Sequence, residues 1–273
     1  MHQPEWSFLH YNASLNVELF HARCIKHAFP AHMHDYYVIG LIEKGLQTFS
    51  HRGGKYFTPA GGLILLNPGD DHTGEPADAA GFEYRAVYPT ADHMREAVYE
   101  LTGRRQDNPR FGAMRLDDRA LAETVRSLYA SLAGGANPLE AETLFIGALS
   151  GLLTRTAGLQ PPLTAGRERD AVRKVRQYIH ARWAEKITLG ELSAHAGLSR
   201  YYLLRVFGAE TGMPPHAYQD SVRLGHAKRL LRQGLSPGDV ALETGFSDQS
   251  HFANRFKRLV GVTPGQYARE HLH

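Results

Sequence analysis

The sequence predicts an α+β chain of two domains, an antiparallel β-barrel or sandwich with a helical flank followed by an all-α module. Three observations carry this. The first ninety residues are short apolar runs between closely spaced turn residues. Beyond Thr90 the apolar period becomes helical. The last hundred residues contain one helical layout written twice.

Taken in order, Val17, Leu19 and Phe20 open a strand-like stretch that runs to Pro30. Residues 36–42 form a compact apolar run, Gly45 is read as a turn, and residues 47–51 follow as a further strand. Gly53-Gly54 reads as the centre of a tight hairpin, because both central positions of a type I′ turn need positive φ. Residues 63–66 are a buried run closed by Asn67-Pro68-Gly69-Asp70. Residues 82–88 alternate aromatic and polar side chains, and the alternation leaves open which face is internal. Met94, Val98 and Leu101 then recur at helical spacing, as do Leu121, Val125, Leu128 and Leu132. Residues 139–153 supply a long helix with Leu144, Phe145, Ala148, Leu149 and Leu152 on one side. The apolar faces of these last two helices lead to the expectation of a homodimer built on them. Residues 157–166 lack periodicity and contain consecutive prolines, which marks a linker. The expected organisation is 1–156 (barrel about 17–90, helices about 91–156), a linker at 157–167, and a helical domain at 168–273.

Bulk properties narrow the class. The net charge of +3 is unevenly spread: from residue 168 onward there are 16 Lys and Arg against 10 Asp and Glu, while the part before has 15 against 18. A basic end suggests an anionic partner. Cys24 is the single cysteine, which removes internal disulfides and Cys-based zinc fingers. No apolar run approaches the roughly 20 residues of a membrane span, and the N-terminus has no secretion pattern, so a cytoplasmic address and no membrane partner are expected.

The repeat is detailed. Thr188-Leu189-Gly190-Glu191 is a capping box opening a short helix that stops at Gly197; Ser199 caps the next, which carries Leu203 and Phe207 inward and ends at Gly212. Some fifty residues later Ser236-Pro237 opens a second short helix, Gly245 turns, Ser247 is read as the cap, and Phe252 and Phe256 replace Leu203 and Phe207. One residue more separates cap from Phe in the second copy. Each copy is a helix, a glycine turn and a second helix, the helix-turn-helix layout, spanning 189–210 and 237–260. With the basic charge and the polar outer positions, this points to double-stranded DNA rather than to an all-α bundle without a nucleic-acid role.

Over about a hundred residues the sequence resembles the AraC/XylS family of regulators. The resemblance rests on Gly197-Leu198-Ser199, Gly212-Met213-Pro214-Pro215, Arg223-Leu224-x-x-Ala227 and, above all, the stretch from Gly245-Phe246-Ser247 through Phe256-Lys257-Arg258 to Gly261-Val262-Thr263-Pro264. It implies two recognition helices in adjacent major grooves of promoter DNA, roughly 34 Å apart. Base-facing candidates are then Tyr201, Leu204 and Arg205, and Gln249, Ser250, His251 and Asn254; phosphate candidates are Arg200, Arg255, Lys257 and Arg258. Leu204 offers a base only an apolar contact with a thymine methyl, and Asn254 suits adenine better than guanine.

The front half resembles the cupin-type effector domain of such regulators, through His32-x-His34-Asp35-Tyr36-Tyr37, Gly45, and Gly62–Gly69 followed by His72. This implies a small-molecule effector in the barrel, with His32, His34, Tyr36, His72 and Arg85, or its neighbours Tyr84 and Tyr88, as lining candidates. Metal-binding cupins add a carboxylate to such histidines. Val38 or Ile39 fills its place here and Glu43 lies further on, so no metal or other cofactor is expected. The competing reading is a metal-dependent cupin enzyme or metal sensor carrying a DNA-binding tail. No nucleophile motif or phosphate-cradling loop accompanies the histidines, which argues against an enzyme.

Overall fold

The computed structural model describes residues 4–51, 53–135, 137–160 and 168–271, so most of the expected linker lies outside the described residues. They pack as two units. The first contains strands β1 (Trp6–Asn12), β2 (Val17–Cys24), β3 (Phe29–His32), β4 (Val38–His51), β5 (Gly54–Pro59), β6 (Leu63–Leu66), β7 (His72–Pro76) and β8 (Phe82–Tyr88), then α1 (Ala91–Thr102), β9 (Arg115–Leu116) and α2 (Arg119–Ala133). Helix α3 (Pro138–Ala157) is shared: from Leu144 on it packs with this unit, and up to Thr143 with the second. The second unit adds α4 (Glu168–Ala181), α5 (Leu189–Ala196), α6 (Arg200–Thr211), α7 (Pro215–Arg232), α8 (Pro237–Glu243), α9 (Gln249–Val260) and α10 (Pro264–His271).

All strand pairs are antiparallel, in the order β1-β2-β8-β4-β6-β9, with β5 and β7 on the far half of β4 and β3 on β7. The long strand β4 organises this. Its first half lies between β6 and β8, its second half pairs with β5 and β7, and a register shift separates Ile42 from Lys44. Gly45 is therefore not a turn, as the sequence suggested, but a paired residue just after a bulge at Glu43, inside a continuous strand. Its φ is +76, and a Cβ there would lie 2.0 Å from the carbonyl oxygen of Gly81, so only glycine lets the two backbones close up. The bulge shifts the side-chain parity: Val38 and Gly40 face the interior before it, Gln47 and Phe49 after it. The hairpin turn also sits one residue earlier than expected. His51 pairs with Gly54, and Gly53, with φ +79, is a loop residue. Strand β1 lies ahead of the first anticipated strand.

In α1, α2 and α3 the anticipated apolar positions are internal. Met94, Val98, Leu101, Val125, Leu128, Leu132, Phe145, Ala148, Leu149 and Leu152 are all buried within the chain. Most of both stripes thus serves as core within the chain, while Leu121 and Leu144 are half-buried. Burying each Leu, Val or Phe contributes roughly 1.5–3 kcal/mol.

The second unit is built on two cores. Val172, Val175 and Ile179 of α4 are buried, as are Leu189, Leu192, Leu203 and Phe207 of α5 and α6. Leu224, Ala227 and Leu231 of α7 cluster with Val240, Phe246, Phe252 and Phe256. Thr188 forms the expected capping box with Glu191, and Ser199 and Ser236 cap α6 and α8. The cap of α9 is Asp248, not Ser247: its carboxylate accepts from the backbone of His251 at 2.7 Å. A carboxylate beside orphan amides is stabilised by the helix dipole as well as by the bond. With Asp248 as cap, the distance to Phe252 equals that from Ser199 to Leu203, and the extra residue in the second copy disappears.

Candidate DNA-binding surface and effector cavity

Helices α6 and α9 are the second helices of the two repeats, and their outer residues are the DNA-binding candidates. On α6, Arg205 is exposed with its guanidinium 4.8 Å from the ring centroid of Tyr202; Arg200, Tyr201 and Leu204 are half-buried. On α9, Gln249, Ser250, Asn254, Lys257 and Arg258 are exposed, while His251 is half-buried with its ring against Phe246. These side chains lie one turn apart on each helix, as a groove-reading face requires.

Arg255 departs from the expectation. It pairs with Glu140 in the first turn of α3 and, through Nε at 3.3 Å, with Asp220 of α7. Its side chain is 11% exposed, so in this arrangement it is an internal cation and not a phosphate contact. The same turn of α3 supplies Glu142, whose carboxylate accepts from the backbones of Leu189 (2.9 Å) and Gly190 (3.2 Å) at the start of α5; burial raises its pKa. Neither glutamate carried a sequence signal, because their partners lie 115 and 47 residues away.

A polar group inside α7 was equally hidden. Arg223 is 1% exposed and donates from Nε to the carbonyl of Trp183 (2.8 Å) and from Nη2 to that of Glu185 (2.9 Å). Gln219 donates to the same two carbonyls. Together they hold the loop between α4 and α5, and Gly245, with φ +73, rests against that loop.

In the first unit a cavity of about 130 Å³ lies between the strands. Its walls come from β2 (Phe20), β3 (Phe29, His32), β4 (Val38, Gly40, Gln47, Phe49), β6 (Ile64, Leu66), β7 (His72, Thr73, Gly74) and β8 (Tyr84, Tyr88), with His34. His32, His34 and His72 converge, a ring nitrogen of each within 4.8 Å of the others. Tyr36 stacks on His34 (centroids 4.7 Å apart) and lies 4.9 Å from Tyr88. Burial, then the neighbouring His72 and His32, bring the His34 pKa down to about 4; burial also lowers that of His72. Among the cavity residues that sequence reasoning missed are Phe20, Phe29, Gln47 and Phe49, the last two depending on the parity change in β4.

Arg85 does not join them. Phe82, Tyr84, Ala86 and Tyr88 pack inward, whereas Arg85 points to the other face, paired with Glu43 at 3.2 Å and over the ring of Tyr129 in α2. Glu43 also accepts from Arg126 at 2.9 Å. It is therefore no partner of the histidines, and Val38 lines the cavity as an apolar wall. The three imidazoles form a nitrogen set that fits a metal ion such as zinc, without the carboxylate.

Comparison with known proteins agrees with this layout. A family model described as AraC-like ligand binding domain matches residues 14–149, and one described as helix-turn-helix domain matches 192–270. An uncharacterized HTH-type transcriptional regulator, YbfI of Bacillus subtilis, is 36% identical over 91% of this chain and 90% of its own length. The HTH-type transcriptional activator RhaS of Klebsiella pneumoniae is 27% identical over 93% of this chain and 92% of its own. Among solved structures, an apo form of ToxT from Vibrio cholerae aligns over 95% of this chain and 99% of that one, at 14% identity and a TM-score of 0.42. A ligand-binding-domain match followed in the sequence by two repeated helix-turn-helix units, and a relative alike along nearly its whole length, place the chain in the AraC family of DNA-binding transcriptional regulators.

Proposed function

We propose that the chain reads promoter DNA through Arg205 of α6 and Gln249 and Asn254 of α9, and that a small molecule in the barrel cavity changes its operator affinity. The observation that carries this is the pairing, in one chain, of two exposed polar recognition faces with a cavity whose polar groups converge. Lys257 and Arg258 serve as phosphate contacts that hold register. Such a regulator works on chromosomal DNA, hence in the cytoplasm, and needs no catalytic residue or cofactor.

A second copy of the chain is the expected protein partner. With the apolar faces of α2 and α3 packed inside the chain, its seat is the outer strand β1, which among the described residues pairs with β2 alone and leaves Phe8 (64%), Leu9 (65%) and Tyr11 (55%) exposed. An unpaired strand edge with apolar side chains is a template for another strand. Sedimentation of the full chain, with and without Leu9→Lys, checks the pairing; an unaltered monomer in both removes β1 from the reading.

The test of the whole proposal is linkage. Genomic fragments bound by the purified chain define an operator, and cell-extract fractions are then screened for a shift in its affinity. A ligand that changes operator affinity by some factor must have its own affinity changed by the same factor. A chain that binds DNA with no fraction ever shifting it would leave the cavity without a regulatory part.

A further inference from the structure

The walls of the barrel cavity carry no Asp, Glu, Lys or Arg among the described residues. An organic anion or ammonium ion would lie there without a counterion, and burying an unpaired charge is costly. Arg85, the basic residue among the sequence-derived lining candidates, points away and is paired with Glu43.

Three of the polar groups in the cavity walls offer acceptors: His32, His72 and Gln47. A ring nitrogen facing a carbonyl oxygen must donate, so His32 donates Nδ1–H to Pro30 (2.7 Å) and His72 to Asp70 (3.1 Å). The neutral form of each ring then carries its lone pair on Nε2. Gln47, 8% exposed, has a buried side-chain oxygen without a hydrogen-bond partner among the described residues. Tyr84 and Tyr88 add phenolic O–H groups, which burial keeps protonated. The remaining walls are aliphatic and aromatic. An apolar cavity of about 150 Å³ accepts benzene, so about 130 Å³ sets the occupant at a single ring.

We propose that this cavity selects an uncharged, hydroxyl-bearing molecule with one ring-sized apolar body, its O–H donated to the His32–His34–His72 cluster. This deepens the effector reading and rests on it. A hydroxyl donates to an imidazole and accepts from a phenol at once. A carboxylate brings acceptors and a charge to a site already rich in acceptors, and a bare hydrocarbon leaves the buried acceptors unpaired.

Three probes of one size test this on the full chain: benzyl alcohol, toluene and benzoate, titrated calorimetrically in the presence of a chelator. Benzyl alcohol is expected to bind about tenfold tighter than either of the others, the upper end of what one net hydrogen bond supplies. His72→Phe, which keeps a ring in place but removes an Nε2 lone pair, is expected to narrow the gap between benzyl alcohol and toluene, and Gln47→Met, at the buried oxygen without a partner, provides a second variant with a smaller loss. Benzoate or toluene matching benzyl alcohol overturns the ligand class, while effector control of DNA binding stands or falls separately by operator titration. Without chelator, zinc binding one per chain through the histidines and excluding all three probes overturns it as well, as does failure of every probe to bind.

Discussion

Replacing Gly245 by Ala isolates the contact that seats the second helix-turn-helix unit. At φ +73 an L-residue costs about 1–2 kcal/mol. The new Cβ would lie 2.0 Å from the carbonyl oxygen of Ala184 and 2.8 Å from its carbon. An ordinary C···O approach is about 3.3–3.6 Å, so the loop must withdraw by more than about 1 Å. That loop is held by Arg223 and Gln219 at the carbonyls of Trp183 and Glu185. Losing two such bonds to buried groups costs about 1–3 kcal/mol each. The total, about 3–8 kcal/mol, is a large share of the roughly 5–15 kcal/mol that holds a domain. Gly212→Ala is the control: its φ is +74, but an added Cβ meets nothing within 4 Å, so only the backbone cost remains. Urea unfolding of the full chain in a Trp6→Phe background leaves Trp183 as the single tryptophan, and it sits in the loop under test. Gly245→Ala is expected to lower the midpoint far more than Gly212→Ala. Equal losses would refute the close approach as the source of the cost.

Other outcomes follow from the same geometry. Arg205→Ala and Gln249→Ala should each weaken specific binding by about 1–3 kcal/mol and relax preference at one base pair, measured on a panel of single-base operator variants. Lys257→Ala or Arg258→Ala should weaken all sequences alike and reduce the salt slope by about 0.9. Arg255→Ala should instead cost about 3–5 kcal/mol of stability, because it strands Glu140 and Asp220, and leave the salt slope unchanged. Acid should destabilise the fold before the carboxylates titrate. His34 and His216 protonate near pH 4 in the folded chain against an ordinary 6.5, so the unfolded chain binds more protons between those values and melting temperature falls as pH drops from 6.5. A flat melting temperature from pH 7 to 5 would count against their burial as the cause.

What the sequence revealed was the part written locally. Caps, turn glycines and helical periodicity lie within a few residues of one another, so Thr188, Ser199, Ser236 and the apolar faces of α1 to α4 could be read directly. The cap of α9 went wrong by one residue because Ser247 and Asp248 are both good caps, and only the geometry selects between them. Strand β8 stayed ambiguous because both its faces are covered: Tyr84 and Tyr88 face the cavity, and Arg85 faces Tyr129 of α2. Alternation distinguishes core from solvent, not one buried face from another. Strand β1 escaped for the opposite reason, since most of its residues are exposed on both sides. The histidine cluster was legible as residue types, whereas Gln47 was invisible without the bulge that sets its parity.

The charge balance shows how far composition can mislead about a binding surface. The surplus of six positive charges from residue 168 onward counts Arg255 and Arg223, yet both are spent inside the unit. Glu140 and Glu142 pack with that unit as well, which lowers its surplus to four. Four phosphate contacts would give a slope of about −3.6 in log K against log salt, and without Arg255 the recognition helices supply about −2.7. Backbone attraction is thus expected to be weaker than the net charge of the sequence implies. Glu140 sets this balance. Its neutralisation in Glu140→Gln leaves Arg255 with Asp220 alone, and any freed fraction of the guanidinium returns a cation to α9. The slope should then steepen towards −3.6 for every sequence, by about 0.9 at most. A slope that stays put in Glu140→Gln would show that Asp220 alone is enough to keep Arg255 inside.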